Sequence, residues 1–346
     1  MTTAVASPRG PSTLRRRRRA RWAWLLVVLA LLVGVCLASV MVGSREVGWS
    51  DVLAGVRGQV DGFDQAAVAT RLPRTAMAVL AGAALAVSGA VMQGVTRNPL
   101  ADPGILGVTT GASLAVVTGI AYFGLTVATS YVWVAILGAG VTAVFVYAVG
   151  SLGRGGATPL KLALAGAATS AALASFVTAV MLPRNDVAGG VRSWLVGGVG
   201  GATASSTGQV LPFLMVGLLA CLVAARPLNS LALGDELAAG LGEKVALARG
   251  GAALGAVVLA GASTAATGPI GFVGLVVPHA CRTLVGSDHR WLLPFSALVG
   301  AVLLTGADIL GRIVARPAEI DVGIVTALVG APFFVWLVRS RKVGSL

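Results

Sequence analysis

The stretch that decides the fold is Leu231–Val245, LALGDELAAGLGEKV. Leu233, Leu237, Leu241 and Val245 recur every fourth residue and make one apolar stripe, the pattern of an amphipathic helix. Asp235, Glu236, Glu243 and Lys244 lie off that stripe. Gly240 and Gly242 keep the helix short, because glycine is costly inside one. Two readings are open at this point: a solvated loop helix, or a greasy ridge that fits a groove on a soluble partner. The sequence on either side supplies the context, because it is apolar almost throughout.

Of the 346 residues, 56% are hydrophobic and 11% charged, with a mean hydropathy of +0.89. A soluble domain needs more charge than that to cover its surface. Apolar runs long enough to cross a bilayer recur along the chain. They are Trp22–Val42, Thr75–Val95, Ile105–Gly124, Tyr131–Gly150, Leu162–Leu182, Gln209–Ala225, Gly250–Thr267, Ile270–Val285, Trp291–Ile313 and Val322–Val338. The expectation is an all-α polytopic membrane protein of about ten transmembrane helices, the eighth being short. The many glycine and alanine residues suit close helix packing in lipid.

The net charge of +13 invites a nucleic-acid reading. It is rejected, because much of the excess is one tail. Arg15–Arg19 and Arg21 stand directly before the first apolar run, where basic residues anchor a chain on the cytoplasmic side. A secretory signal is also rejected, since the apolar run is longer than a signal core. A lipoprotein-type cleavage before Cys36 is disfavoured by the bulky Val35. With the tail inside, ten spans bring both termini to the cytoplasm. Eighteen Lys and Arg then lie inside and eight outside, or eleven to eight without the tail. In this topology Leu231–Val245 is cytoplasmic. The division is a basic cytoplasmic tail over residues 1–21 and one transmembrane domain over 22–342, with no appended soluble domain.

The cysteines Cys36, Cys221 and Cys281 lie in or at the ends of spans without metal-ligand spacing and read as packing residues. His279 and His289 read as loop and cap residues rather than a metal pair. No catalytic residue, metal site or cofactor is expected. The outer segment Pro183–Gly208 is Gly-rich, with Arg192-Ser-Trp-Leu at its centre, and reads as holding a short interfacial helix anchored by Trp194. Asn98-Pro99 and Asp102-Pro103 force non-helical backbone, so Thr96–Gly107 is a structured inside turn. Arg71-Leu-Pro-Arg-Thr75 opens the second span. Gly268-Pro-Ile-Gly-Phe-Val-Gly-Leu-Val-Val-Pro-His279 reads as a broken or closely packed helix, tolerated in a membrane only where protein or a cavity covers it.

Together these segments resemble the FecCD-type permeases, the membrane subunits of ABC importers for iron–siderophores, haem and vitamin B12. The resembling residues are RLPRT at Arg71–Thr75, SGAVMQ at Ser88–Gln93, NPLADPGILG at Asn98–Gly107, LALGDELAAGLG at Leu231–Gly242 and GPIGFVGLVVPH at Gly268–His279. DHR at Asp288–Arg290, ADILGR at Ala307–Arg312 and GAPFFVWL at Gly330–Leu337 complete the set. The resemblance runs in order from about residue 22 and leaves the arginine tail outside. It implies a type II ABC importer permease fold, located as a multi-pass protein in the bacterial cytoplasmic membrane. It implies as partners two copies of a cytoplasmic ATP-binding subunit, an extracytoplasmic substrate-binding protein, a second permease subunit (identical or paralogous) and membrane lipid.

Residue by residue, the resemblance puts ATPase coupling on the loop between spans six and seven: Leu233, Asp235, Glu236, Leu237, Leu241 and Gly242. The chain has no ATP site of its own, because Lys161, Lys244 and Lys342 follow Leu, Glu and Arg rather than the glycine of a P-loop. Binding-protein docking falls on Arg71, Arg74 and Arg312, which stand at outer span ends that the positive-inside rule depletes. Arginine grips carboxylates with a planar fork. The competing account is snorkelling, plus pairing of Arg312 with Asp308 one helical turn earlier.

The function implied is a transport subunit, not an enzyme, that takes up ferric siderophores, with vitamin B12 or haem as the alternative cargo. An ion-coupled secondary transporter is the rival outside the family. It needs ionisable sites near the bilayer midplane, where Asp308 is the only candidate and lies near a span end. An intramembrane enzyme lacks a nucleophile–base pair in the spans.

Overall fold

The structure, a computed structural model, describes residues 11–43, 47–59, 61–153 and 158–340. Every regular element among them is helical. The spans are α1 (Pro11–Met41), α3 (Phe63–Thr96), α4 (Val108–Phe123), α5 (Ala128–Ser151), α6 (Pro159–Met181), α8 (Ala204–Val223), α11 (Val245–Thr267), α12 (Val273–Val285), α13 (His289–Val314) and α14 (Val322–Ser340). Between them lie α2 (Trp49–Val56), α7 (Asn185–Val196), α9 (Ala225–Leu231) and α10 (Asp235–Gly240). Seven helices are long and apolar enough to cross a bilayer, and α4, α12 and α14 contain shorter apolar helices. The expected ten-element order is therefore present. The face holding the start of α1 is called here the tail face and the opposite one the far face.

Helix α3 is the axis of the bundle. Every residue from Ala84 to Gln93 is buried, because α1, α8, α11, α12 and α13 surround it. Small residues permit this. A Cβ on Gly82 would stand 2.3 Å from the carbonyl oxygen of Gly300 on α13, and one on Gly89 would stand 2.0 Å from that of Gly274 on α12. Here glycine is required by close backbone approach, the usual device where lipid offers no hydrophobic drive between helices. Polar side chains add ties. Ser88 Oγ donates to the carbonyl of Ala256 at 2.7 Å, and Gln93 Nε2 donates to that of Gly274 at 3.1 Å.

Three sequence expectations shift. The RLPRT motif does not open the second span; α3 starts twelve residues before Thr75, at Phe63, and Pro73 lies inside it. The segment between the first two expected spans thus holds α2 and the first turns of α3. Trp194 of α7 is not fully exposed, because it packs half-buried against two apolar clusters. The arginine run is helical as well. Residues 11–21 form the start of α1, while residues 1–10 of the expected tail lie outside the described residues, as do Arg45, Arg154, Arg341 and Lys342 from the charge tally.

The broken helix expected at Gly268–His279 is present. Residues 268–272 are not helical, and α12 begins only at Val273 after Phe272, whose φ of 68° lies in the left-handed region. At 13 residues, α12 spans about 20 Å, less than the roughly 30 Å hydrocarbon core. The structured turn of Asn98–Gly107 fills space beside it. Asp102 Oδ2 accepts from the backbone of Gly104 at 2.9 Å, Asn98 Oδ1 from that of Leu100 at 3.0 Å, and Gly166 of α6 abuts the carbonyl of Ile105. Irregular backbone is tolerated at this depth because protein covers it.

Candidate functional site

On the tail face Leu231–Val245 is three pieces rather than one helix. Leu231 ends α9 and is fully buried, Gly234 (φ 114°) and Gly242 (φ 86°) bracket α10, and Val245 opens α11 and packs on the core. Of the expected stripe, Leu233, Leu237 and Leu241 stay exposed, at 58%, 62% and 66%. Leu237 and Leu241 lie one turn apart along α10, beside the exposed Glu236, and Leu233 stands just before the Gly234 break. The other side of α10 is seated by Ala238, which is fully buried.

Asp235 does something the sequence did not reveal. Its Oδ1 accepts from Arg249 Nη2 on α11 at 2.9 Å and also pairs with Arg97, which ends α3 in a left-handed conformation. Burial pushes the Asp235 carboxyl up, but Arg249 and Arg97 outweigh it and hold it below the usual range. The aspartate therefore ties the exposed ridge to two spans. Neither arginine is at a helical spacing from it, which is why the pattern of residues gave no signal. A second tie runs between α9 and the start of α13. Asn229 Nδ2 donates to Asp288 Oδ1 at 2.7 Å, and Asn229 Oδ1 accepts from the backbone of His289 at 2.9 Å. Burial pushes Asp288 up, while the bonds from Asn229 and Arg290 bring it below its ordinary value. His289 is thus a helix-start residue, while His279 is buried in α12 beside Phe333.

On the far face the structure brings Arg71, Arg74 and Arg312 into one cluster. Arg312 Nη2 pairs with Asp308 Oδ2 at 2.9 Å, the one-turn pairing anticipated, and bonds Ser39 Oγ at 2.7 Å. Its Nη1 donates to the carbonyls of Ser39 and Val42. Arg71 Nη1 donates to the carbonyls of Val40 at 3.0 Å and Met41 at 3.1 Å. Two cations thus cap the C-terminal carbonyls of α1, where the helix dipole is negative. Arg74 forks over Asp308, with Nε at 3.0 Å and Nη2 at 2.8 Å from Oδ1, and turns Nη1 to Glu319 at 2.6 Å. Asp308 and Arg312 are each only 2% exposed; Glu319, at 39%, is the open end of the cluster. Ser39 and Glu319 were missed from sequence, since each meets its partner only through the tertiary fold.

A helical bundle that crosses the bilayer many times, with charge clusters clamping its ends and exposed leucines on one face, has the build of a multi-pass membrane permease. The chain belongs to the FecCD transport family, whose profile matches residues 30–340. It is 46% identical over 275 residues to the iron(3+)-hydroxamate import system permease protein FhuB of Bacillus subtilis, covering 79% of this chain and 71% of that one. It is 42% identical over 319 residues to the ferric enterobactin transport system permease protein FepD of Escherichia coli, covering 92% and 95%. Among solved structures, an ABC transporter described as of metal-chelate type, in an inward-facing conformation, matches with a TM-score of 0.77 at 29% identity. That match covers 94% of this chain and 100% of the other.

Proposed function

We propose that the chain is the permease subunit of a binding-protein-dependent ABC importer that carries ferric siderophores across the bacterial cytoplasmic membrane. The observation that carries this is the exposure of Leu233, Leu237 and Leu241 around α10 in a FecCD-family bundle. Apolar side chains set among charges outside the bilayer need a protein partner. In this reading two cytoplasmic ATPases take these leucines into a groove, with Glu236 at its edge and Gly242 allowing the turn into α11. Both termini and the tail face are cytoplasmic, in line with the basic run before the first span. The ferric chelates in the names of the two relatives support the cargo.

The binding protein docks on the far face around Arg71, Arg74 and Arg312. Arg74 is the reachable member, because its exposed partner Glu319 can give way to an incoming carboxylate. Arg71 and Arg312 hold the end of α1 beneath it. A second permease subunit completes the pathway, and ATP binding and hydrolysis shift it between outward- and inward-facing states through differential affinity of the partners.

The test is uptake of radio-iron-loaded siderophores, with labelled vitamin B12 in parallel, in cells lacking the gene and in complemented cells. Loss of iron uptake alone, restored by complementation, is expected. Loss of vitamin uptake alone would replace the cargo, and unchanged uptake of both would withdraw it.

A further inference from the structure

Between α5 and α11, at their tail-face ends, lies a groove of about 840 Å³, within the range of small-molecule sites. It runs along α11 from Val245 to Val257, about 18 Å at the helical rise, roughly one leaflet of a 30 Å core. Its mouth is framed by exposed apolar side chains, Val144 and Leu254 among them, so it opens towards acyl chains.

The groove exists because its walls are small: Gly140 and Ala143 on α5, Gly250 and Ala253 on α11. These glycines differ from those at the helix crossings. A Cβ on Gly138 would meet the carbonyl oxygen of Gly111 at 2.5 Å and one on Gly261 would meet Ile136 at 2.9 Å, whereas one on Gly250 would meet nothing within 4 Å and one on Gly140 only Val257 at 3.9 Å. Helix packing does not require smallness at Gly140 and Gly250; an occupant would.

The polar end of the groove supplies a second observation. Arg249 lines it. Its Nη2 holds Asp235, but its Nε is buried and meets no hydrogen-bond partner among the described residues. A buried guanidinium N–H without an acceptor is costly, and the side chain as a whole is 27% exposed, so a phosphate at the mouth meets the guanidinium fork it suits.

We propose that the groove is a lipid site: one acyl chain of an anionic phospholipid of the tail-face leaflet lies against Gly140, Ala143, Gly250 and Ala253, and its phosphate pairs with the part-exposed guanidinium of Arg249. The proposal rests on the orientation above, since anionic lipid is concentrated in the cytoplasmic leaflet. It also gives the lipid a role. The arginine that would bind the phosphate also ties α10 to α11, so an occupied site holds the coupling ridge in place.

Native mass spectrometry of the purified full-length protein, titrated with phosphatidylglycerol or phosphatidylcholine of identical chains, tests this. Wild type should retain one phosphatidylglycerol per copy, preferred about tenfold. Arg249→Gln should bring the preference near unity. Gly250→Leu, or Ala253→Leu should the first fail to fold, should lose both lipids. Asp235→Asn frees Arg249 and should keep the preference. No preference in wild type, a preference that survives Arg249→Gln, or lipid retained in the filled groove would each overturn the site. So would loss of the preference in Asp235→Asn, which would make Arg249 a tie only. A shift from dimer to monomer in the filled variants would show a second copy as the occupant instead. None of these readouts depends on uptake, so their failure leaves the transport assignment untouched.

Discussion

Asp308→Asn is the sharpest probe of the far-face cluster. The substitution keeps the shape of the side chain and removes the one charge shared by Arg312 and Arg74. Arg312 is 2% exposed, so water cannot replace the lost carboxylate. Breaking a buried pair by removing one partner costs about 3–5 kcal/mol. The lower end applies here, because Arg74 keeps Glu319 and Arg312 keeps Ser39 and the α1 carbonyls. At roughly 2 °C per kcal/mol for a chain this long, about 3 kcal/mol lowers the melting temperature by about 6 °C. Tryptophan fluorescence of the purified protein in detergent reads this, and capture of the binding protein is measured on the same samples. Adding Arg312→Leu should recover part of the loss, since the unpaired cation is then gone. A variant that melts within about 1 °C of wild type while losing capture would refute the reasoning and make the cluster a docking device alone.

Three further outcomes follow from the geometry. Leu237→Asp with Glu236→Lys should abolish ATPase co-purification and leave the melting temperature unchanged, because both side chains are exposed; retained co-purification would remove the coupling role of the ridge. Gly300→Val puts a side chain 2.3 Å from the Gly82 carbonyl and should cost about 1–3 kcal/mol or more, whereas Gly306→Ala, with nothing within 4 Å, should cost nothing; equal melting temperatures would show that the α3–α13 crossing is loose. Asp235 is held below the usual carboxylate range by Arg249 and Arg97. Its tie is therefore complete above the unfolded value of about 3.9 and is lost only as pH falls through the lower folded value. ATPase association should then show no step between pH 5 and 8 that disappears in Asp235→Asn, and such a step would contradict the pairing.

The elements most legible in the sequence were those set by local chemistry. Apolar run length fixed the order of the spans, and the prolines and glycines of Asn98–Gly107 and Gly268–His279 marked the backbone that leaves the helix. The leucine row was legible too, except at its end, where Val245 shares the period but belongs to α11 and packs on the core. What stayed hidden is pairing across the fold. The partner of Asp235 could not be read from spacing, because Arg97 and Arg249 reach it from two other helices. Likewise RLPRT looked like a span start, because hydropathy falls at Arg71 and Arg74. The helix continues outward through them, since Asp308 and the α1 carbonyls satisfy their charge.

The one-turn pair on α13 has a consequence for how the chain is built. With the tail face cytoplasmic, Arg71 and Arg74 cross early, with the segment between α1 and α3, long before their counter-charge is synthesised. Asp308 and Arg312 cross later, near the leading end of α13. A lone arginine or aspartate costs about 2.5–3.5 kcal/mol at the centre of an inserting helix. Because each brings its neutralising partner four residues away, we expect the hairpin of α13 and α14 to cross as a self-compensated unit and open to Arg74 only after arrival. Glycosylation mapping of a tag after α13 would test this: Asp308→Ala should lower translocation of that end, and unchanged translocation would mean that the charges cross unaided.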